Sequence, residues 1–128
     1  ISGRVTQKFL EDAMLGKKLK LMGNGKLDFT NIADLVYGIE LIIKNSKSHN
    51  ETFNITYGKA RPVSLLAKIL KNYFPKLKVE ITKMDRSRPI RGTLSIKKAK
   101  KLLNYKPKVK LEIGYKKYIE HYLSSMNK

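Results

Sequence analysis

The chain has 128 residues, with 28 Lys and Arg against 10 Asp and Glu, so its net charge is +18. This length suits one domain, and 41% hydrophobic residues are too many for an intrinsically disordered chain. The lack of cysteine excludes a disulfide scaffold, a thiolate zinc site and a cysteine nucleophile, and no apolar run approaches the ~18 residues of a membrane span. The first residues, ISGRVTQ, include no initiator Met and do not form a signal peptide. We therefore expect a piece of a longer, cytoplasmic protein.

The first third of the chain begins with a predicted helix. Apolar residues at helical spacing cover residues 5–15, and Gly16 ends the pattern. Alternation over residues 19–21 predicts a short strand, the GNG string at 23–25 predicts a tight turn, and residues 27–30 are expected to be extended.

A second, strongly apolar helix is expected to begin near residue 32. Thr30 or Asn31 can cap it, and the carboxylate of Asp34 suits the positive end of the helix dipole. The residues predicted to form its buried face are Ile32, Leu35, Val36, Ile39, Ile42 and Ile43.

The middle of the chain predicts a polar loop, a strand and a third helix. The strand covers residues 52–56, with Phe53 and Ile55 on one face. Ser64 is expected to cap the third helix, which Pro75 prevents from continuing. Its predicted buried stripe comprises Leu65, Leu66, Ile69, Leu70 and Tyr73.

The last third alternates strand, basic loop and helix. Val79 and Ile81 indicate a strand, residues 84–92 (MDRSRPIRG) an extended loop, and Ser95 the cap of a short lysine-rich helix. The terminal helix is expected to bury Leu111, Tyr115, Tyr118, Ile119, Tyr122, Leu123 and Met126. Strands separated by helices favour a small α/β domain.

Several residues of types that often occur in binding or catalytic sites show no pattern of such a site here. The GNG turn lacks the third glycine of a dinucleotide fingerprint, because Asp28 stands there and a strand follows. His49 and His121 are isolated and are expected at the surface, since a zinc site needs several ligands at defined spacing. Asp28 and Asp34 form no recognisable acid–base pair.

The net charge raises the hypothesis of a nucleic-acid-binding module. However, 23 of the 28 positive residues are Lys, spread over the whole chain, whereas proteins that contact bases rely on bidentate Arg. We therefore favour a Lys-rich surface, and keep a basic RNA- or DNA-binding module as the alternative function.

Three of the five arginines lie within six positions, at Arg86, Arg88 and Arg91. Pro89 stiffens this segment, and a guanidinium contacts two phosphate oxygens at once. Either a phosphate-binding loop or a solvated basic loop fits this pattern, and the residues alone leave both open.

Short strings in a fixed order carry a resemblance to a known family. The chain resembles the C-terminal half of NAD-dependent epimerase/dehydratases, extended short-chain dehydrogenases that act on nucleotide-diphosphate sugars and are UDP-glucose 4-epimerase-like. The strings are AMLGKKL at 13–19, GNG at 23–25, DFTNIADL at 28–35, FNI at 53–55, RP at 88–89, SIKKAKKLLNYKP at 95–107 and LEIGY at 111–115.

The resemblance implies a mixed α/β C-terminal subdomain of an extended Rossmann-type enzyme, with residues 1–128 as the substrate-binding domain and the Rossmann half missing. The family binds NAD in that N-terminal half, so no cofactor is expected in this chain. None of the seven tyrosines has Lys four residues later. No catalytic residue is therefore expected here, and the chain alone should be inactive.

The resemblance also implies which residues contact substrate. Lys20 and Met22 occupy strand positions whose backbone edge contacts the nucleotide base in relatives, and Arg88 takes the diphosphate role. Arg86 and Arg91 are further candidates, because Leu27 replaces an arginine common in the family. The expected partners are a nucleotide-diphosphate sugar and the missing half, with a homodimer of the full protein also compatible, and neither membrane nor metal is expected.

Overall fold

The computed structural model describes residues 4–23, 25–83 and 91–126. These residues contain both helices and strands, which confirms the predicted mixed α/β class. The elements are α1 (Val5–Met14), β1 (Leu19–Met22), β2 (Lys26–Asp28), α2 (Ile32–Lys44), a 3₁₀ turn (Ser46–Ser48), β3 (Ala60–Pro62), α3 (Ser64–Lys71), β4 (Val79–Thr82), α4 (Lys97–Leu103) and α5 (Leu111–Met126).

The chain divides into two compact units. The first comprises residues 1–26, 62–91 and 112–128, and the second comprises residues 27–61 and 92–111. The sequence shows no linker, because each unit is assembled from segments that are distant in the chain.

A two-stranded parallel sheet anchors the first unit. Leu19 lies opposite Val79 and Met22 opposite Thr82. The predicted alternation of β1 is confirmed, since Leu19 and Leu21 are buried while Lys20 is exposed. Helices α1, α3 and α5 supply most of the rest of this unit's core, and Leu77 before β4 adds to it. The buried helical residues are Phe9, Leu10, Ala13, Leu66, Ala67, Ile69, Leu70, Tyr115 and Ile119.

The second unit forms its own core around α4. Tyr105 is fully buried there, and Asn104 ends α4 in the left-handed conformation at φ 54°, which an asparagine tolerates well. The core residues are Ile96, Ala99, Leu103 and Tyr105, with Tyr37, Leu41, Ile42, Phe53, Ile55 and Leu102 packed against them.

Helix α2 forms where predicted but buries a different face. Asn31 caps it, because its side chain accepts a hydrogen bond from the Ala33 N–H at 2.9 Å. The expected buried face is wrong except for Ile42, which packs on the core. Asp34 and Gly38 are buried instead, and the exposed residues are Ile32, Leu35, Val36, Ile39 and Ile43.

Five local predictions are wrong. Ser95 does not cap α4, whose N-cap is Ile96, and Met126 of the terminal helix is exposed rather than buried. Residues 52–56 form no strand, although Phe53 and Ile55 do both pack on the core. Ser64 is the first residue of α3 rather than its cap, which is Val63. Tyr73 lies beyond the end of α3, because the helix stops at Lys71.

Asp28 connects three segments of the second unit. Its carboxylate accepts hydrogen bonds from the Tyr57 N–H at 3.2 Å and the Gly58 N–H at 2.9 Å, and also from the hydroxyl of Thr93. A carboxylate accepts hydrogen bonds from several donors at once, so this side chain stabilises the loop segments at residues 57–58 and 93.

The raised pKa of Tyr105 should make the free energy of unfolding depend on pH in the alkaline range. Its hydroxyl donates to the Thr56 carbonyl at 3.1 Å, and burial, followed by the charges of Asp34 and Asp28, raises its pKa to about 12. Since the tyrosine of an unfolded chain has a pKa of ~10, the stabilisation from the neutral Tyr105 is full below that pH and is lost as pH rises to about 12. Tyr105→Phe should flatten the fall in the free energy of unfolding over that window.

Urea unfolding at several pH values measures this effect. Part of the slope should remain in the variant, because burial also raises the pKa of Tyr115. An unchanged slope in Tyr105→Phe would show that Tyr105 does not carry the effect.

Candidate functional site

Among the described residues, strand β1 pairs with another strand along one edge only. The N–H groups of Leu19 and Gly23 donate to β4, at 2.9 Å to the carbonyls of Lys78 and Thr82 respectively. Alternate residues of a strand direct their backbone groups to opposite edges, so those of Lys20 and Met22 point away from β4. No strand in the described part of the chain pairs with that edge. It can therefore bind the edge of a planar polar group by backbone hydrogen bonds.

The side chains of Lys20 and Met22 lie on the exposed face of the sheet. Met22 retains 43% of its surface, while Leu21 between them is buried. The apolar face of the sheet, with Leu19 and Leu21, packs on the core. At the carboxyl end of β1, the exposed face adjoins the unpaired edge of the strand. Ligands of open parallel sheets bind outside the carboxyl ends of strands.

An acidic residue moderates the positive charge around Lys20. Glu80 lies opposite Lys20 in the register and accepts a hydrogen bond from the Lys18 ammonium at 3.0 Å. That hydrogen bond, with the charges of Lys18 and Lys20, holds the pKa of the Glu80 carboxyl below its usual value. Because Glu80 offsets part of this positive charge, the Lys20 ammonium group is less suited to bind phosphate. The backbone groups of Lys20 are the better candidates for binding a ligand.

The structure describes only part of the arginine loop. Arg91 is exposed, whereas Arg86 and Arg88 lie outside the described residues. Arg61, which stands beside Pro62 and outside the arginine loop, is half-buried in β3 and so does not represent a solvated arginine. Arg4, an exposed residue at the start of α1, is the better comparison for a solvated arginine.

Sequence reasoning missed two residues of this sheet. Glu80 faces Lys20, and Thr82 faces Met22 and donates its hydroxyl to the Leu21 carbonyl at 3.3 Å. The alternation of VEIT indicates a strand, but only the pairing register identifies these two positions as neighbours of β1.

A cleft in the first unit is less suited to a diphosphate than the edge of β1. This cleft of about 360 Å³ includes the carboxylate of Glu120, to which Tyr73 donates at 3.1 Å. Carboxylates repel phosphate, and nothing in the cleft offers a bidentate guanidinium. It is lined by Ile69, Asn72, Tyr73, Glu112, Lys116 and Glu120.

Other site classes find no support in the described ranges. His49 and His121 are exposed, as predicted, and no cluster of three or more metal-ligating side chains occurs in 4–23, 25–83 or 91–126. The residues around Gly23 do not fit a dinucleotide, because strand β2 follows the turn where a phosphate-binding helix would be needed. Among the helices described, none has the length and apolarity required to cross a bilayer.

Sequence comparison with known proteins finds a relative that this chain matches over part of its length. No family model matches the chain. An uncharacterized protein of Methanocaldococcus jannaschii is 34% identical over 123 residues, which is 92% of this chain and 37% of that protein.

Two solved structures are similar over nearly the whole chain. An epimerase of Methanothermobacter thermautotrophicus superposes with a TM-score of 0.87 at 23% identity, covering 99% of this chain and 39% of its own. UDP-glucose 4-epimerase of Thermotoga maritima, solved with UDP-glucose, superposes with a TM-score of 0.81 at 28% identity, covering 98% and 41%. The fold is that of the C-terminal portion of an epimerase. The chain spans about two-fifths of the length of the proteins it matches.

Proposed function

We propose that residues 1–128 are the substrate-binding portion of an NAD-dependent sugar-nucleotide epimerase or dehydratase. The observation that carries this proposal is the open backbone edge of β1 at Lys20 and Met22, which suits the polar edge of a nucleotide base. The likeness to an epimerase solved with UDP-glucose supports the same ligand class. NAD and the catalytic residues then belong to the part of such an enzyme that this chain does not match.

In this proposal the base and the diphosphate of the ligand are bound by different groups of the protein. The base binds along the edge of β1, and the diphosphate binds Arg88, with Arg86 and Arg91 as further contacts. Guanidinium groups suit phosphate because they donate two hydrogen bonds in a fixed plane. Binding the nucleotide end holds the sugar in position for chemistry supplied elsewhere.

Calorimetric titration of the 128-residue chain with UDP-glucose tests the proposal. We expect weak, saturable binding of UDP-glucose and of UDP, because half of the pocket comes from the unmatched part. We also expect no turnover of UDP-glucose with added NAD, since no tyrosine in the chain has the Tyr-x-x-x-Lys spacing.

Duplex DNA serves as the competitor ligand at physiological salt. If DNA binds tightly with a steep salt dependence and UDP-glucose does not bind, the basic nucleic-acid-binding module is the correct function. Turnover by the pure chain would equally contradict the proposal.

Arg88→Lys should weaken UDP-glucose binding at least tenfold without changing the fold. Lysine keeps the charge but presents one point of contact instead of a planar fork. A charge-assisted hydrogen bond contributes about 1.5–3 kcal/mol, so losing one accounts for a tenfold change. The same titration, with circular dichroism to verify folding, measures the effect.

Arg4→Lys is the matched control, because Arg4 is an exposed arginine at the N-cap of α1. It should leave the affinity unchanged. Equal, small effects of the two substitutions would mean that the Arg88 loop is a solvated basic segment.

A further inference from the structure

The cleft of the first unit has no part in the nucleotide site proposed above. It is lined by the end of helix α3 and by helix α5, and it shares no lining residue with strand β1. Its volume is about 360 Å³, and pockets that bind small molecules have volumes of about 300–1,000 Å³. The cleft therefore suits a small, compact ligand.

Three polar side chains line the cleft from one side of α5. Glu112, Lys116 and Glu120 follow one another at intervals of four residues, which places them on the same face of the helix. The Lys116 ammonium lies 3.8 Å from the Glu120 carboxylate. With two carboxylates and one ammonium among its described residues, this lining has a small negative charge in a chain whose net charge is +18.

The turn that follows α3 holds the other side of the cleft in place. The N–H of Asn72 donates to the Ile69 carbonyl at 3.1 Å, and the N–H of Tyr73 donates to the Leu70 carbonyl at 3.0 Å. The Tyr73 hydroxyl then donates to the Glu120 carboxylate at 3.1 Å. Burial, followed by the hydrogen bond and the charge of Glu120, raises the pKa of Tyr73, so this hydroxyl stays protonated at neutral pH and keeps Glu120 oriented.

The chemistry of the lining excludes several ligand classes. A phosphate or a carboxylate would meet two carboxylates, and an organic cation would have to approach a strongly basic chain. A wholly apolar ligand would leave the polar side chains without hydrogen bonds, which is costly. A hydroxyl group both donates and accepts, so it can donate to a carboxylate and accept from the amide of Asn72 or the ammonium of Lys116.

We propose that this cleft binds a neutral monosaccharide, at a site separate from that of the nucleotide. The sugar hydroxyls donate to the carboxylates of α5 and accept from Asn72 and Lys116. Its C–H groups contact the apolar body of the Tyr73 ring and the buried side chain of Ile69. A sugar carries its hydroxyls on one rigid ring, so little conformational freedom is lost on binding.

A nuclear magnetic resonance titration of the ¹⁵N-labelled 128-residue chain tests the site, with methyl glucoside and methyl galactoside as the probes. We expect saturable shifts of the backbone amides at residues 69–73 and 112–120. Glucose 1-phosphate should bind there at least fivefold more weakly, because its phosphate is repelled by the carboxylates. Glycerol at the same hydroxyl concentration should give no saturable shift. Equal binding of glucose 1-phosphate, equal shifts with glycerol, or no shift with either glycoside would overturn the proposal.

Glu120→Ala should weaken binding of the glycoside at least tenfold, because it removes a carboxylate acceptor and the partner that orients Tyr73. Glu40→Ala is the matched control, since Glu40 is also an exposed helical glutamate with a lysine partner one turn away, in the second unit. It should change the affinity less than twofold, and circular dichroism verifies that both variants fold. Equal losses in the two variants would mean that general charge, and not the cleft, determines binding.

Competition with UDP separates this site from the nucleotide site. Saturating UDP should leave the affinity for the glycoside unchanged, because the carboxylates of the cleft repel a diphosphate. Displacement of the glycoside by UDP would place both ligands at one site and overturn the inference. The inference does not rest on the proposed function, so a chain that binds the glycoside but neither UDP nor UDP-glucose would refute the proposed function alone.

Discussion

Asp34→Asn is expected to lower the free energy of unfolding by about 2–4 kcal/mol. Asp34 is almost fully buried, and its two carboxylate oxygens accept the N–H groups of Lys108 at 2.8 Å and Val109 at 2.9 Å. Hydrogen bonds to a charged group contribute about 1.5–3 kcal/mol each. Asparagine keeps one acceptor but turns an NH₂ group toward the second donor. Urea denaturation monitored by circular dichroism measures the loss.

Glu40→Gln provides a control on the same helix. Glu40 is exposed and pairs with Lys44 one turn away, and such surface pairs are worth less than about 1 kcal/mol. The prediction for Asp34 would be wrong if both substitutions lowered stability by the same small amount.

Asp34 also illustrates what the sequence predicts and what it leaves undetermined. Its place in the first turn of a helix follows from local pattern, and the structure has it there. Its hydrogen-bond partners lie 74 and 75 positions away in the chain. No local rule connects them, so the dipole argument accounts for the residue type but not for its burial.

Helix α2 was predictable as a helix but not in orientation. The stripe from Ile32 to Ile43 is more apolar than the opposite side, which contains Asp34 and Gly38. Periodicity identifies an amphipathic helix and assigns the apolar side to the core. Here the small Gly38 and the satisfied Asp34 permit a closer approach to Tyr105 and Ile55, so the helix buries its less apolar side.

In the candidate site, too, the sequence predicts some features and leaves others undetermined. Alternation in β1 correctly predicts exposed Lys20 and buried Leu21. The direction of their backbone groups depends on which strand pairs with β1, and β4 lies some 60 residues later. The substrate roles of Lys20, Met22 and the three loop arginines came from the family resemblance and stay predictions for the titrations described above.

Gly58→Ala is expected to lower the free energy of unfolding by roughly 2–5 kcal/mol. Gly58 has φ +75°, where a residue with a side chain is strained by about 1–2 kcal/mol. A Cβ would also lie only 2.5 Å from the Ile96 side chain, and overpacking a core costs about 1–3 kcal/mol more. Urea denaturation of the purified variant measures the sum of the two effects.

Gly16→Ala separates the strain from the clash. Gly16 has a similar φ of +65°, but nothing lies within 4 Å of an added Cβ, so this control should lose only the ~1–2 kcal/mol of backbone strain. Adding Ile96→Ala to Gly58→Ala should cost less than the two single losses combined, because the second change removes the atoms that the new methyl group meets. If Gly58→Ala lost no more stability than Gly16→Ala, or if the double variant were simply additive, close packing between Gly58 and Ile96 would not be what requires glycine at this position.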